Sequence, residues 1–212
     1  MCPGTHRGAL NRRVADFESA PQLERKPLGG TRPQPTVLRA PRLDLVPMTL
    51  ALAEAELRGV PTLAAVLGVP APDAWPPDFY DGADLNRMRR LLQDPVNEGW
   101  ALYYLVHRGP PRALVGVAGY AGRPTVAGEV EIGYGILPRH RGLGLATEAV
   151  SALVAHAFQE ASVERVVAET FPHLSGSIGV LARNRFQLIS TSGRGGALRY
   201  ELHRSTYQAG AA

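Results

Sequence analysis

The clearest pattern in the chain is a change of hydrophobic period within residues 129–158. From 129 to 136, apolar side chains alternate with Glu or Gly, the period of two that is typical of a strand. Pro138 ends this strand. Beyond residue 144, the period changes to the three and four spacing of an amphipathic helix, with apolar residues at Leu145, Ala146, Ala149, Val150, Leu153, Val154, Ala157 and Phe158. This stretch therefore predicts a strand, a glycine-containing turn and a helix.

Comparable patterns predict further strands and helices on both sides of this unit. Strands are expected near 37–46, 100–107, 113–121, 165–170, 186–191 and 198–203, and helices near 50–57, 82–93 and 177–184. Short turns join the strands from 100 to 136, which indicates an antiparallel meander. The long helix before residue 165 instead makes that strand a parallel neighbour of the strand at 130, through a right-handed crossover.

Composition changes along the chain and indicates its domain boundaries. Residues 1–36 are rich in Pro, Gly and Arg without hydrophobic periodicity, so we expect a flexible leader. One domain is expected over residues 37–203, followed by a C-terminal tail at 204–212. Within the domain, residues 61–81 form a Pro-rich passage that is predicted to be a loop interrupted by a helix.

The turn after the central strand has the composition of a diphosphate-binding loop. The first N–H groups of a helix lack partners within the helix, and the helix dipole adds partial positive charge there. Gly142 and Gly144 allow close approach of a ligand to the backbone, while Arg139 and Arg141 are placed to neutralise phosphate charge.

Other interpretations of these glycines fit the sequence less well. A plain helix-start turn does not account for two arginines between a strand and a long helix. A dinucleotide fingerprint requires a third glycine where Thr147 stands, and a P-loop requires a lysine, whereas the only lysine of the chain is Lys26.

The pattern Arg-x-x-Gly-x-Gly/Ala at residues 139–144 resembles the acetyl-coenzyme A loop of the GNAT superfamily of N-acetyltransferases. The order of residues 42–47, followed by a helix, resembles the ribosomal-protein alanine acetyltransferase branch. The resemblance implies an α+β fold with a central mixed, mostly antiparallel sheet of six or seven strands and helices on both faces. It also implies that acetyl-coenzyme A is bound by Ile136, Leu137, Arg139, Arg141, Gly142, Leu143, Gly144, Leu145, Ala146 and Thr147.

Transfer of an acetyl group to an amine requires a base, because amines are largely protonated at neutral pH. Glu131 on the central strand is the first candidate for this base. Glu129 shares its strand face and is second, with a role in substrate binding. The same resemblance places the loop between the first two strands at the acceptor site, so Trp75, Phe79 and Tyr80 are expected to line a substrate pocket or, alternatively, to pack that loop onto the domain.

The leaving thiolate requires a proton or a hydrogen bond. Relatives commonly supply a tyrosine in the last helix, but Leu181 stands at that position. Ser177 matches the family pattern and is the candidate donor, with an N-cap of the short helix as the alternative role. Leu174 and Arg185 depart from the family's Asn and Gly, which puts the local turn and a coenzyme contact in doubt.

Overall composition adds mainly exclusions. A hydrophobic share of 45% without a bilayer-length apolar run argues against a membrane protein. Part of the net charge of +4 lies in the leading segment, so we expect neither nucleic acid nor a membrane as a partner. The single cysteine, Cys2, rules out an internal disulfide and favours a cytoplasmic protein. The six histidines lack metal-ligand spacing, so no metal is predicted.

These observations predict an N-acetyltransferase that transfers an acetyl group from acetyl-coenzyme A to a primary amine in a ternary complex. A protein or peptide N-terminus is the expected acceptor, and a small-molecule amine or antibiotic is the alternative. A catalytically silent sensor of acyl-coenzyme A is the alternative from another class. The sequence is compatible with a monomer or a homodimer.

Overall fold

A computed structural model describes residues 36–191 and 194–210, and of Arg194 only the backbone. The expected leader therefore lies outside the described residues apart from Thr36. The strands are β1 (Leu38–Arg39), β2 (Leu43–Pro47), β3 (Leu102–His107), β4 (Ala113–Tyr120), β5 (Glu129–Ile136), β6 (Arg165–Thr170), β7 (Gln187–Ser190) and β8 (Leu198–His203).

In the described part of the chain, three α-helices precede β3, and three more follow β5, β6 and β8. They are α1 (Leu50–Leu57), α2 (Val60–Leu67), α3 (Gly82–Leu91), α4 (Leu145–Ala157), α5 (Ser175–Arg183) and α6 (Arg204–Ala209). Local sequence explains their ends: Thr49 and Asp81 cap α1 and α3 through their side chains, and Gly68 ends α2 in the left-handed conformation.

All eight strands form one sheet in the order β1-β2-β3-β4-β5-β6-β8-β7. Neighbouring strands are antiparallel except β5 and β6, which run parallel as the crossover helix α4 requires. The pairing of β5 with β6 extends only from Glu129 opposite Arg165 to Glu131 opposite Val167. Beyond Glu131 and Val167 the two described strands are no longer paired, and we call this point of separation the fork. The candidate site lies there.

Helices cover the sheet on both faces, and each face has its own hydrophobic core. On one face, α4 and α5 pack through residues such as Leu153 and Leu181, both fully buried. On the other, α1, α2 and α3 pack against β2, β3 and β4, with Leu63 and Met88 fully buried. The predicted α+β fold with a mixed, mostly antiparallel sheet is confirmed.

The structure corrects two details of the predicted layout and gives the bounds of the helix that was expected in the Pro-rich passage. The strand expected over 37–46 is a hairpin, β1 and β2, so the sheet has eight strands rather than six or seven. The helix within the Pro-rich passage is α2, which follows α1 directly after Gly59. Residues 204–209, expected within a tail, form α6, where Tyr207 packs on Phe158 with ring centroids 5.0 Å apart.

Candidate active site

A cleft of about 970 Å³ lies at the fork between β5 and β6. Its walls come from the end of β5, the turn before α4, the first turns of α4 and α5, and a segment of the loop between α2 and α3. Because the β5–β6 ladder stops at Glu131, the backbone of β5 from Ile132 onward has no pairing with β6 among the described residues. A ligand entering the cleft therefore meets an unpaired strand edge.

The beginning of α4 presents free backbone donors to this cleft. Among the described residues, none of the amide N–H groups from Gly142 to Thr147 donates to a protein acceptor, and Gly144 provides no side-chain cap. All of these residues line the cleft. Unshared N–H groups together with the positive end of a helix dipole form an anion-binding site, as diphosphate requires.

The turn before α4 owes its shape to two glycines and one arginine. Gly142 and Gly144 have φ values of 74° and 79°, in the left-handed region that favours glycine. Arg42, at the start of β2, braces the turn: its Nη2 donates to the Leu143 carbonyl at 2.7 Å, and its Nε donates to the Glu148 carboxylate at 2.6 Å. Glu148 thus anchors the first turns of α4 to the neighbouring strand.

The two arginines of the turn have carboxylate partners from the loop between α2 and α3. Arg139 Nη1 lies 2.7 Å from Asp73 Oδ2, and Arg141 Nη2 lies 2.8 Å from Asp78 Oδ2. Arg141 also donates from Nε to the Ile136 carbonyl at 2.9 Å. His140 lies between the two arginines in the sequence and lines the cleft. Burial and the neighbouring Arg139 lower the pKa of His140, so its imidazole is neutral at pH 7.

Most of the predicted cofactor-binding residues lie together on this cleft. Eight of the ten line it: Ile136, Arg141, Gly142, Leu143, Gly144, Leu145, Ala146 and Thr147. Leu137 is buried instead and donates its N–H to the Val115 carbonyl. Arg139 is turned toward Asp73 at the outside of the turn.

The structure separates the two candidate bases, which the sequence left on one strand face. Glu131 belongs to the last register pair before β5 and β6 part, so it stands at the base of the fork. Glu129 lies farther back and accepts hydrogen bonds from Arg165 at 3.0 Å and Arg199 at 2.8 Å. Burial by itself would raise the pKa of Glu129, but the two arginines outweigh it and lower the pKa, so Glu129 is a weak base.

Ser177 lines the cleft within the first turn of α5. The residue in the N-cap position is Leu174, so Ser177 does not have the alternative capping role. Its carbonyl accepts from the Tyr134 hydroxyl at 3.1 Å, and no acceptor for its own hydroxyl is found among the described residues. The Ser177 hydroxyl is therefore free to donate to a ligand in the cleft.

Arg185 forms the turn that the family pattern assigns to glycine. Its φ is 63°, in the left-handed region, and its N–H donates to the Ala182 carbonyl. Left-handed backbone costs an ordinary residue ~1–2 kcal/mol. The substitution therefore keeps the turn geometry and adds local strain.

Of the three aromatic residues proposed for substrate binding, Phe79 lines the cleft, whereas Trp75 and Tyr80 lie away from its wall. Tyr80 is buried and donates its hydroxyl to Glu56 at 2.9 Å, while Trp75 donates its Nε1–H to the same carboxylate at 2.7 Å. Their neighbours Asp78 and Phe79 line the cleft instead. This arrangement favours the alternative that Trp75 and Tyr80 pack the loop onto the domain.

Sequence reasoning missed the residues that hold the site together, namely Arg42, Glu56, Asp73 and Asp78. Their contacts join positions far apart in the chain, as in Arg42 with Glu148, 106 residues later. Hydrophobic periodicity and local motifs carry no information on such pairings. The only available signal was charge: two acidic residues in a loop predicted to lie near a basic turn.

The strand edge, the glycine turn and the unpaired helix start together form an anion-binding cleft at the fork of an α+β sheet. Comparison with known domains gives the family. The domain described as "Acetyltransferase (GNAT) domain" matches residues 42–187, so the chain belongs to the GNAT acetyltransferase family.

Individual relatives agree with this assignment. The chain is 28% identical over 109 residues to "Uncharacterized N-acetyltransferase p20" of Bacillus licheniformis, a match that covers 51% of this chain and 61% of that protein. The ribosomal L7/L12 α-N-protein acetyltransferase RimL in complex with coenzyme A superposes with a TM-score of 0.57 at 17% identity, covering 81% of this chain and 99% of RimL. Mycobacterium smegmatis RimJ in complex with CoA-disulfide superposes with a TM-score of 0.55 at 20% identity, covering 80% of this chain and 87% of RimJ.

Proposed function

We propose that the protein transfers an acetyl group from acetyl-coenzyme A to a primary amine, by direct attack in a ternary complex. The observation that carries this proposal is the row of unshared N–H groups from Gly142 to Thr147, open to a cleft at the fork of β5 and β6. These donors suit a diphosphate, and the unpaired edge of β5 suits the amide-containing arm of the coenzyme.

In the proposed reaction the acceptor nitrogen attacks the thioester carbon. The new C–N bond forms as the C–S bond breaks, and the amine proton passes to the Glu131 carboxylate directly or through water. A backbone N–H of β5 polarises the carbonyl. The electron pair leaves on sulfur, where Ser177 is placed to donate a hydrogen bond, and no nucleophile of the protein becomes acetylated.

The expected acceptor is the N-terminal α-amine of a protein or peptide. The residues that resemble the ribosomal-protein branch support this choice, as does the fold shared with RimL, which is described as a ribosomal L7/L12 α-N-protein acetyltransferase. An α-amine, with a pKa of roughly 8, also demands less of the base than a lysine at roughly 10.4.

Thiol release from acetyl-coenzyme A tests the proposal across a panel of N-terminal peptides, lysine peptides and small amines. Glu131→Gln should lower kcat by ~100-fold or more, the loss expected when a general base is removed. Glu129→Gln is the matched control on the same strand face and should stay within a few fold. Calorimetric binding of acetyl-coenzyme A without turnover of any amine would instead favour a sensor. Absence of binding by folded protein would refute both functions.

A further inference from the structure

One buried carboxylate has no place in the reaction proposed above. Glu56, on α1, is 8% exposed and accepts three hydrogen bonds from neutral donors: Trp75 Nε1 at 2.7 Å, Tyr80 Oη at 2.9 Å and Tyr104 Oη at 2.6 Å. Tyr80 and Tyr104 are themselves buried, at 3% and 0% exposure. We refer to these four residues as the Glu56 cluster.

The Glu56 cluster joins a loop to the sheet. Tyr104 belongs to β3, whereas Trp75 and Tyr80 flank a short segment of the loop between α2 and α3. A buried carboxylate is costly unless its oxygens are satisfied, and an apolar residue of similar size often gives equal or greater stability. What the carboxylate adds is a fixed distance and direction between the loop and α1, the helix that carries Glu56.

The segment held in this way, residues 77–79, crosses β5 at the fork. The Asp78 carbonyl and the Pro77 ring lie so close to Gly135 that a Cβ there would meet them at 3.0 and 3.3 Å. Phe79 takes a φ of 64°, an unfavourable conformation for a non-glycine residue that persists only when its surroundings impose it. The hydrogen bonds of Trp75 and Tyr80 with Glu56 provide that constraint on both sides of the segment.

We propose that Glu56 is a positioning residue for the acceptor. It holds residues 77–79 across Gly135, so that Phe79 and Asp78 form the wall of the cleft where the fork opens. This inference rests on the proposed function, because it assigns the acceptor wall of that same cleft. Loss of the carboxylate should release the segment and weaken acceptor binding, with little effect on the bond-forming step.

The test compares Glu56→Gln with Tyr104→Phe. Gln keeps the size of Glu but turns an NH₂ group toward one or more of the three donors, which breaks the contact with the loop. Tyr104→Phe removes the bond from the sheet side and leaves both bonds to the loop, so it controls for lost stability. Tyr80→Phe is a second loop-side variant for use if Glu56→Gln does not fold.

Two measurements are made on each variant of the full chain. With the amine of the panel that wild-type protein acetylates fastest, Glu56→Gln should raise the acceptor KM ~10-fold, equivalent to ~1.4 kcal/mol, and change kcat less than about twofold. Hydrogen exchange should become faster at the Tyr80 amide, whose N–H donates to the Pro77 carbonyl at 3.3 Å. Tyr104→Phe should leave both readouts near wild type.

The inference is overturned if Glu56→Gln leaves the KM and the exchange rate unchanged, or if Tyr104→Phe shifts them equally, since general loosening would then explain the effect. These results are distinct from failure of the proposed function. A wild-type protein that binds no acetyl-coenzyme A would refute the acetyltransferase, while hydrogen exchange would still decide whether Glu56 positions the loop.

Discussion

Replacing Asp78 by Asn is expected to tighten the binding of coenzyme A. In the structure the Asp78 carboxylate lies 2.8 Å from the Arg141 guanidinium, a group that we propose binds the diphosphate of coenzyme A. Diphosphate must therefore compete with a carboxylate of the protein for the same donors. Asn keeps the size of the side chain and removes its charge, so it weakens the competitor without changing the shape of the loop.

The exposure of the pair sets the size of the effect. The side chains of Arg141 and Asp78 are 47% and 61% exposed, and ion pairs of this kind contribute ~0.2–1 kcal/mol. Releasing Arg141 should therefore lower the Kd for coenzyme A by ~1.4- to 5-fold. Arg141→Gln should act in the opposite direction, since loss of a charge-assisted hydrogen bond of ~1.5–3 kcal/mol raises the Kd by roughly 10- to 150-fold.

Isothermal titration calorimetry with coenzyme A measures these changes, and pantetheine, which lacks the phosphates, is the control ligand. The gain from Asp78→Asn should shrink at about 1 M salt, where the Debye length is about 3 Å. Asp73→Asn is the matched variant: Asp73 is 88% exposed and its partner Arg139 lies outside the cleft, so its gain should be smaller. Unchanged or weaker coenzyme A binding by folded Asp78→Asn, or an equal gain for pantetheine, would show that this reasoning is wrong.

Three further predictions concern stability. Gly142→Ala should destabilise the protein by ~1–2 kcal/mol from its left-handed φ of 74° alone, because no atom lies within 4 Å of the added Cβ; an unchanged denaturant midpoint would contradict this. Arg185→Gly should raise the free energy of unfolding by ~0.5–1 kcal/mol through relief of the strain at φ 63°, and lower stability would show that the arginine contacts dominate. Hydrogen bonds from Arg199 and Arg165 lower the pKa of Glu129 from 4.5 despite its burial. Ionised Glu129 therefore adds to the free energy of unfolding above pH 4.5, and this stabilisation is lost as the pH falls through the lowered pKa of the folded protein. Unfolding of Glu129→Gln between pH 6 and 3 should lack that loss, and a pH dependence identical to wild type would refute it.

The sequence alone determined the core unit of the fold and the local structure of the proposed cofactor loop. The change of period from two to 3.6 after Pro138 is a local property of the chain, and strand, turn and helix follow at β5 and α4 as predicted. Gly142 and Gly144 were identified from their place in the turn as sites of close ligand approach, and the structure adds that both have left-handed backbone. The free N–H groups follow directly from the position at which the helix begins.

Other features were decided only when distant segments came together. Nothing within residues 129–131 distinguishes Glu129 from Glu131, because the distinction comes from Arg165 and Arg199 on strands β6 and β8. The aromatic loop likewise appeared to offer Trp75 and Tyr80 to a substrate, until the fold placed a carboxylate of α1 beneath them.

The division has one physical cause. Backbone conformation and hydrophobic period are determined over a few residues, so both can be predicted from a short stretch of sequence. The ionisation of a carboxylate and the direction of a side chain depend on burial and on charges brought within a few ångströms by folding. The sequence by itself therefore determined the strand, glycine turn and helix start of the proposed diphosphate site, whereas the tertiary structure decided that Glu129 is paired with two arginines and which carboxylates hold the loops in place.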